Sequence, residues 1–137
     1  MALTEAQIKD FNKKEEEAWR GAGTFEVFWD LYEVAGALIE AGDKEWAKKV
    51  YKKAEDKAED CSSFSGLAES LINNLADKEW AKKVYKKVED KSENYDEYSG
   101  LAESLINNLD DKERAMKVYK KAEKNAENFE DFRRLPA

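Results

Sequence analysis

"DKEWAKKVYKK" occupies Asp43–Lys53 and recurs unchanged at Asp77–Lys87, and an eroded copy, "DKERAMKVYKK", fills Asp111–Lys121. The copies start 34 residues apart, and the text between them repeats as well: "SGLAESLINNL" is Ser65–Leu75 and again Ser99–Leu109. A fixed period of this length is the mark of a stacked-repeat architecture, in which a short unit cannot bury its apolar faces alone and a neighbour completes the core. Copies identical letter for letter point either to recent duplication or to a designed sequence.

Each half of the unit has helical spacing. In the second half Trp46, Ala47, Val50, Tyr51, Ala54 and Ala58 fall on one stripe, repeated by Trp80, Ala81, Val84, Tyr85 and Val88 and by Ala115, Val118, Tyr119 and Ala122. Asp43, Asp77 and Asp111 stand where an N-cap carboxylate accepts from the free N–H groups of the first turn. Gly42 suits the left-handed residue that closes the preceding helix. In the first half Leu67, Ala68, Leu71, Ile72 and Leu75 form a stripe, copied at Leu101, Ala102, Leu105, Ile106 and Leu109. Val34, Ala37, Leu38 and Ala41 take the corresponding positions in the opening unit. Ser62 or Ser63 is expected to cap one of these helices, and Asp96 or Asn94 the next.

A separate helix precedes the repeats. Thr4 and Gln7 have capping-box spacing, with Leu3 and Ile8 placed for a hydrophobic staple. The helix runs to about Arg20 and stops at Gly21-Ala22-Gly23. Phe11 and Trp19 are its main apolar groups, which suits a terminal cap with one wet face. After Asn128, Phe129 and Phe132 match Tyr95 and Tyr98 and begin a further first-type helix, which Pro136 truncates. The expected organisation is a single domain, 1–137, with a capping helix over 1–23, repeats over 24–61, 62–95 and 96–128, and a truncated C-terminal cap over 129–137.

The letters resemble the tetratricopeptide (TPR) repeat, W-x2-L-G-x2-Y followed by A-x3-F and a proline. The opening unit offers Leu31-x2-Val34-Ala35-x2-Leu38, the turn Gly42-Asp43, then Ala47-x3-Tyr51 and Ala54. Later units keep Ala81 and Tyr85, and Ala115, Tyr119 and Ala122. They depart at Glu69 and Glu103, where the family has a small residue, and at Glu59, Glu93 and Glu127, where it has proline. HEAT-like or other hairpins of this period share much of the pattern. The resemblance implies an all-α fold, a right-handed α-solenoid of three antiparallel helical hairpins with an N-terminal capping helix and a short C-terminal helical stub.

Composition narrows the function. A net charge of −7 with 40% charged residues repels phosphate and argues against nucleic-acid or anionic-membrane partners. A hydrophobic fraction of 42% and four Trp argue equally against a disordered acidic tail. Histidine is absent, which removes Ser–His and Cys–His nucleophilic chemistry and His-ligated zinc. Cys61 is the single cysteine, so no intrachain disulfide forms, and its repeat position, held by Tyr95 and Phe129 in later units, reads as core filling. No apolar run reaches the roughly 18 residues of a membrane span, and "MALTEAQIKDFNKKEEEAW" lacks a signal peptide's apolar centre. The expectation is a cytoplasmic, non-enzymatic protein with no cofactor and no metal.

Three residue sets remain as candidates. Gly66, Ser70, Asn73 and Asn74 share a face beside the apolar stripe, and Gly100, Ser104, Asn107 and Asn108 repeat it. The resemblance makes this face a concave groove and adds Trp29, Tyr32 and Gly36 from the opening unit. Small residues there admit an extended chain, and Asn amides can both donate to and accept from its backbone. The same residues also suit a helix end and close helix packing. A second set is lysine: Lys48, Lys49, Lys52 and Lys53, then Lys82, Lys83, Lys86 and Lys87, then Lys117, Lys120 and Lys121. It makes a ridge for phosphate or an acidic partner, or a solvated face in which Glu45 and Glu79 pair with Lys49 and Lys83 four residues on. The third set, Trp46 and Trp80, lies on the apolar stripe and reads as core between units, with Arg114 in a less buried third position.

Two functions follow. One is a repeat module that holds a peptide or protein partner on the concave face. The other is a structural or engineered scaffold with no dedicated ligand. The chain is expected to be a monomer or to self-associate weakly end to end through Phe129 and Phe132.

Overall fold

The computed structural model describes residues 2–21 and 23–126. The stub expected over 129–137, with Phe129 and Phe132, lies outside the described residues. Among these the fold is all-α, with seven helices and no strand: α1 (Glu5–Trp19), α2 (Thr24–Glu40), α3 (Lys44–Lys57), α4 (Cys61–Leu75), α5 (Lys78–Lys91), α6 (Tyr95–Leu109) and α7 (Lys112–Lys124). The pairs α2/α3, α4/α5 and α6/α7 make the most extensive contacts, α1 lies against α2, and each pair touches the next through α2/α4, α3/α4, α4/α6 and α5/α6.

Local chemistry sets the helix starts. Asp43, Asp77 and Asp111 each accept from the backbone N–H three residues on, at 3.0 Å, to Trp46, Trp80 and Arg114. Thr4 and Gln7 form the expected capping box, although Ile8 remains exposed while Leu3 packs on the core. The cap of α4 differs from the expectation. Asp60, ahead of both serines, is the N-cap, and Ser63 answers it as the reciprocal partner of a second capping box. A carboxylate accepts more strongly than a hydroxyl at the positive end of the helix dipole, which explains the choice. Asn94 caps α6 through the N–H of Glu97 at 2.9 Å.

The apolar stripes merge into one cluster from Phe11 on α1 to Val118 on α7. Tyr51, Tyr85, Phe28, Leu31, Leu38, Leu67, Leu71 and Leu105 are among its fully buried side chains. Alanines at 47, 54, 68, 81, 102, 115 and 122 are wholly inaccessible and let the helices approach closely. Burying each large apolar side chain is worth roughly 1.5–3 kcal/mol, and no helix pair could collect those contributions alone.

The first helices are not all in the 34-residue register. Phe28, Leu31, Val34 and Ala35 are buried on α2, while Phe64, Leu67, Ser70 and Leu71 are buried on α4, each 36 positions later. Ala37 and Ala41, expected on the stripe, are only half-buried. The cause lies in the longer path to Asp43: α2 has 17 residues where α4 and α6 have 15, and the α2/α3 turn holds one additional residue. There the Gly42 N–H donates to Ile39 and the Asp43 N–H to Leu38, with Gly42 at φ 93°. Later turns are shorter: Asp77 donates back to Leu71 and Asp111 to Leu105, with Ala76 at φ 53° and Asp110 at φ 52°.

A left-handed alanine carries a Cβ penalty that glycine lacks. Ala76→Gly is therefore expected to raise stability by about 0.5–1 kcal/mol after the added freedom of the unfolded glycine is offset, with a smaller gain for Asp110→Gly. Urea unfolding midpoints read this directly, and a lower midpoint for Ala76→Gly would show that the turn carries no such strain.

Candidate functional site

The candidate groove face is used unevenly. On α2 the Trp29 ring lies over Gly66, with its edge 3.4 Å from where a Cβ would stand, and its Nε1–H has no partner among the described residues. Tyr32 directs its hydroxyl to the Gly66 carbonyl at 3.4 Å and hydrogen-bonds the Ser70 hydroxyl. Phe28 and Trp29 stack edge to face at 4.8 Å, and Tyr32 lies 5.3 Å from Trp29 and 6.1 Å from Tyr51. Between α2 and α4, then, Trp29, Tyr32, Gly66 and Ser70 are already packed against each other, and Ser70 is buried.

Two of the four asparagines also face inward. Asn74 donates to the Tyr51 hydroxyl at 2.9 Å, and Asn108 to the Tyr85 hydroxyl at 2.8 Å. Burial pushes both phenols above their ordinary pKa, and the amide contacts only partly offset it, so both stay neutral groups whose hydrogen bonds cross from one hairpin to the next. Asn73 and Asn107 are exposed, and Gly36 is half-buried with open space beside it. Between α4 and α6 the face opens into a groove of about 290 Å³, lined by Gly100 and Ser104 among others, and nothing lies within 4 Å of Gly100's missing side chain.

Helices α1, α3 and α5 carry a set that reading the sequence missed: Glu15, Glu55 and Glu89. Glu55, only 5% exposed, accepts from the Trp80 indole at 3.0 Å and from Lys87 at 2.7 Å, both on α5, and pairs with Lys52 on its own helix at 3.4 Å. Glu89 receives Arg114 at 3.3 Å and Lys121 in the same way, and Glu15 on α1 receives Trp46 at 2.9 Å and Lys53. Arg114 is thus half-buried like the two tryptophans and takes over their donor role, where a less buried end residue was expected. The signal was present in the period, since Glu55 and Glu89 lie 34 residues apart, as do their donors.

Burial is the largest influence on each of these carboxyls and opposes ionisation. The hydrogen bonds and lysine charges together outweigh it, and all three pKa values fall below the ordinary one. The lysine ridge divides accordingly. Lys53, Lys87 and Lys121 serve these clamps, while Lys48 and Lys82 pair with Glu45 and Glu79 at 3.6 and 3.3 Å, three residues apart. The expected i, i+4 pairs to Lys49 and Lys83 are not the ones formed. An open depression of about 510 Å³ beside Trp80 is lined by groups of this clamp. Cys61 is half-buried against the core, its thiol 3.7 Å from the Val88 carbonyl and pushed up in pKa chiefly by burial. No helix among the described residues is long and apolar enough to cross a membrane.

The chain matches no protein-family model, no curated protein and no solved structure.

The clamps link stability to pH with a definite sign. A folded-state carboxyl with a depressed pKa contributes stability that is full above the unfolded value, roughly 4.3 for Glu, and is lost as pH falls through the folded value. The melting temperature is expected to drop below about pH 4.3, with part of that slope missing in Glu55→Gln. At pH 7, Glu55→Gln removes the charge from three hydrogen bonds and should cost about 1–3 kcal/mol, read by thermal melts at both pH values.

Proposed function

We propose that the chain is a TPR-like α-helical repeat module, three antiparallel hairpins stacked in a right-handed solenoid behind a capping helix. It would act without catalysis, holding a peptide or protein partner on the concave face made by α2, α4 and α6. Support for the stacking comes from the clamps, since α1/α3, α3/α5 and α5/α7 are joined by the same carboxylate contact. The observation that carries the binding reading is the open step on the first-helix face. There the α4/α6 groove offers space, and further along the same two helices Asn73 and Asn107 are exposed.

A second reading, a structural or engineered scaffold with no dedicated ligand, also has an observation in its favour. Trp29, Tyr32, Ser70, Asn74 and Asn108 are all engaged within the protein. On either reading no nucleic acid or membrane is a partner, and the setting is cytoplasmic. Exposed Asn73 and Asn107 let the two readings be separated without disturbing the fold.

Selection of a displayed random-peptide library on the wild-type protein should enrich binders. Asn73→Ala with Asn107→Ala should weaken them about tenfold, or 1.4 kcal/mol, and leave the melting temperature almost unchanged. Enrichment of nothing, or binders indifferent to both substitutions, would favour the scaffold.

A further inference from the structure

The two steps of the first-helix face are built on one plan with different side chains. Registering α2 on α4 by their buried stripes pairs Trp29 with Ser65 and Tyr32 with Ala68, while α4 registers on α6 by the plain period, pairing Gly66 with Gly100 and Ser70 with Ser104. In the first step the indole covers Gly66 and the phenol hydroxyl reaches Ser70. In the second step the receiving wall, Gly100 and Ser104, is kept, and the inserting pair is replaced by a hydroxymethyl and a methyl group. The result is the groove of about 290 Å³ with Ser65 on one wall and Gly100 and Ser104 on the other. That volume is at the bottom of the range for small-molecule sites, roughly 300–1,000 Å³, and suits one large side chain.

The rim adds a charge preference. Among the described residues, the ionised side chains lining the groove are Asp96 and Glu97. Glu97, with Asp60 nearby, also acts on the Cys61 thiol in the groove lining in the direction that keeps it protonated.

We propose that the α4/α6 groove receives a Trp or Tyr side chain from a partner peptide that carries Lys or Arg beside it. The ring lies over Gly100 and a tyrosine hydroxyl meets Ser104, as Trp29 and Tyr32 do one step earlier, while the basic flank meets Asp96 and Glu97. This rests on the reading that the first-helix face binds a partner, and it names the partner's chemistry. The Trp29/Tyr32 pair is the protein's own example of the occupant, and the acidic rim selects against a second acidic segment such as α2 itself.

The probe is a synthetic, dye-labelled peptide with a Trp-Ala-Ala-Tyr core between Lys and Arg flanks, read by fluorescence anisotropy. Protection of Cys61 from a thiol reagent is the second readout. Binding is expected for this peptide, with at least a tenfold loss for an all-Ala core or for Asp and Glu flanks. Ser65→Trp and Gly100→Leu fill the groove from opposite walls and should each abolish binding while melting no lower than the parent. Gly100→Leu replaces a helical glycine with a better helix former, so its fold is secure. No binding by the probe, or binding within twofold in both variants, would overturn the proposal. Equal binding with acidic flanks overturns it too. If a peptide of residues 128–137 protects Cys61 and the Lys/Arg probe does not, the occupant is a second copy and the partner proposal fails. Library-selected peptides that lose affinity with Asn73→Ala and Asn107→Ala yet ignore both groove variants would sink this inference alone. Retention of no peptide at all would sink the broader reading with it.

Discussion

Glu55 carries a negative charge into a position only 5% exposed, and what holds it there belongs to the next hairpin. Taking an ion out of water costs several kcal/mol unless donors replace the lost solvent. Two of its three donors, Trp80 and Lys87, come from α5. The carboxylate can therefore be ionised and buried only when α3 and α5 sit at one spacing and one rotation. The same constraint acts between α1 and α3 through Glu15, and between α5 and α7 through Glu89. Hydrophobic burial supplies most of the stabilisation but tolerates sliding. The clamps specify which slide is correct.

Neighbouring hairpins share a second lock of a different kind, from α3 to α4 and from α5 to α6. Tyr51 and Tyr85 are large enough to fill the core where one hairpin meets the next, but each brings a hydroxyl inside that needs a partner. Asn74 and Asn108 supply it. Side chains that read as groove-lining thus complete the core, while their neighbours Asn73 and Asn107 turn outward. The face left over is uneven. Its first step is sealed by the protein's own aromatics and its second is open.

Much of the fold was legible in the sequence because it depends on short-range chemistry repeated at a fixed period. The Asp43, Asp77 and Asp111 caps, the second-helix stripes and the all-α class could be read this way. Asp60 was missed as a cap because two serines next to it are equally good candidates by type, and only the chain path shows which residue stands outside the helix. The two-residue shift of α2 was hidden because a constant period in the second helices suggested a constant period throughout. The clamps were missed for a physical reason: a buried glutamate looks the same in sequence as a solvated one, and its partners lie 25 and 32 residues away. For the site, the residue types and the face could be read, but not their occupancy. No local pattern tells that Trp29 fills the space over Gly66 or that nothing fills the space over Gly100.

The most direct measurement is a double-mutant cycle across the α3/α5 contact, using Glu55→Gln, Trp80→Phe and the pair, with stabilities from urea unfolding at pH 7. Trp80→Phe keeps an aromatic ring in place and removes the indole donor. If neighbouring hairpins are locked through this carboxylate, the two changes should couple by about 1 kcal/mol or more. Additivity within about 0.3–0.5 kcal/mol would mean that the clamp is incidental and that apolar packing alone sets the spacing of the units.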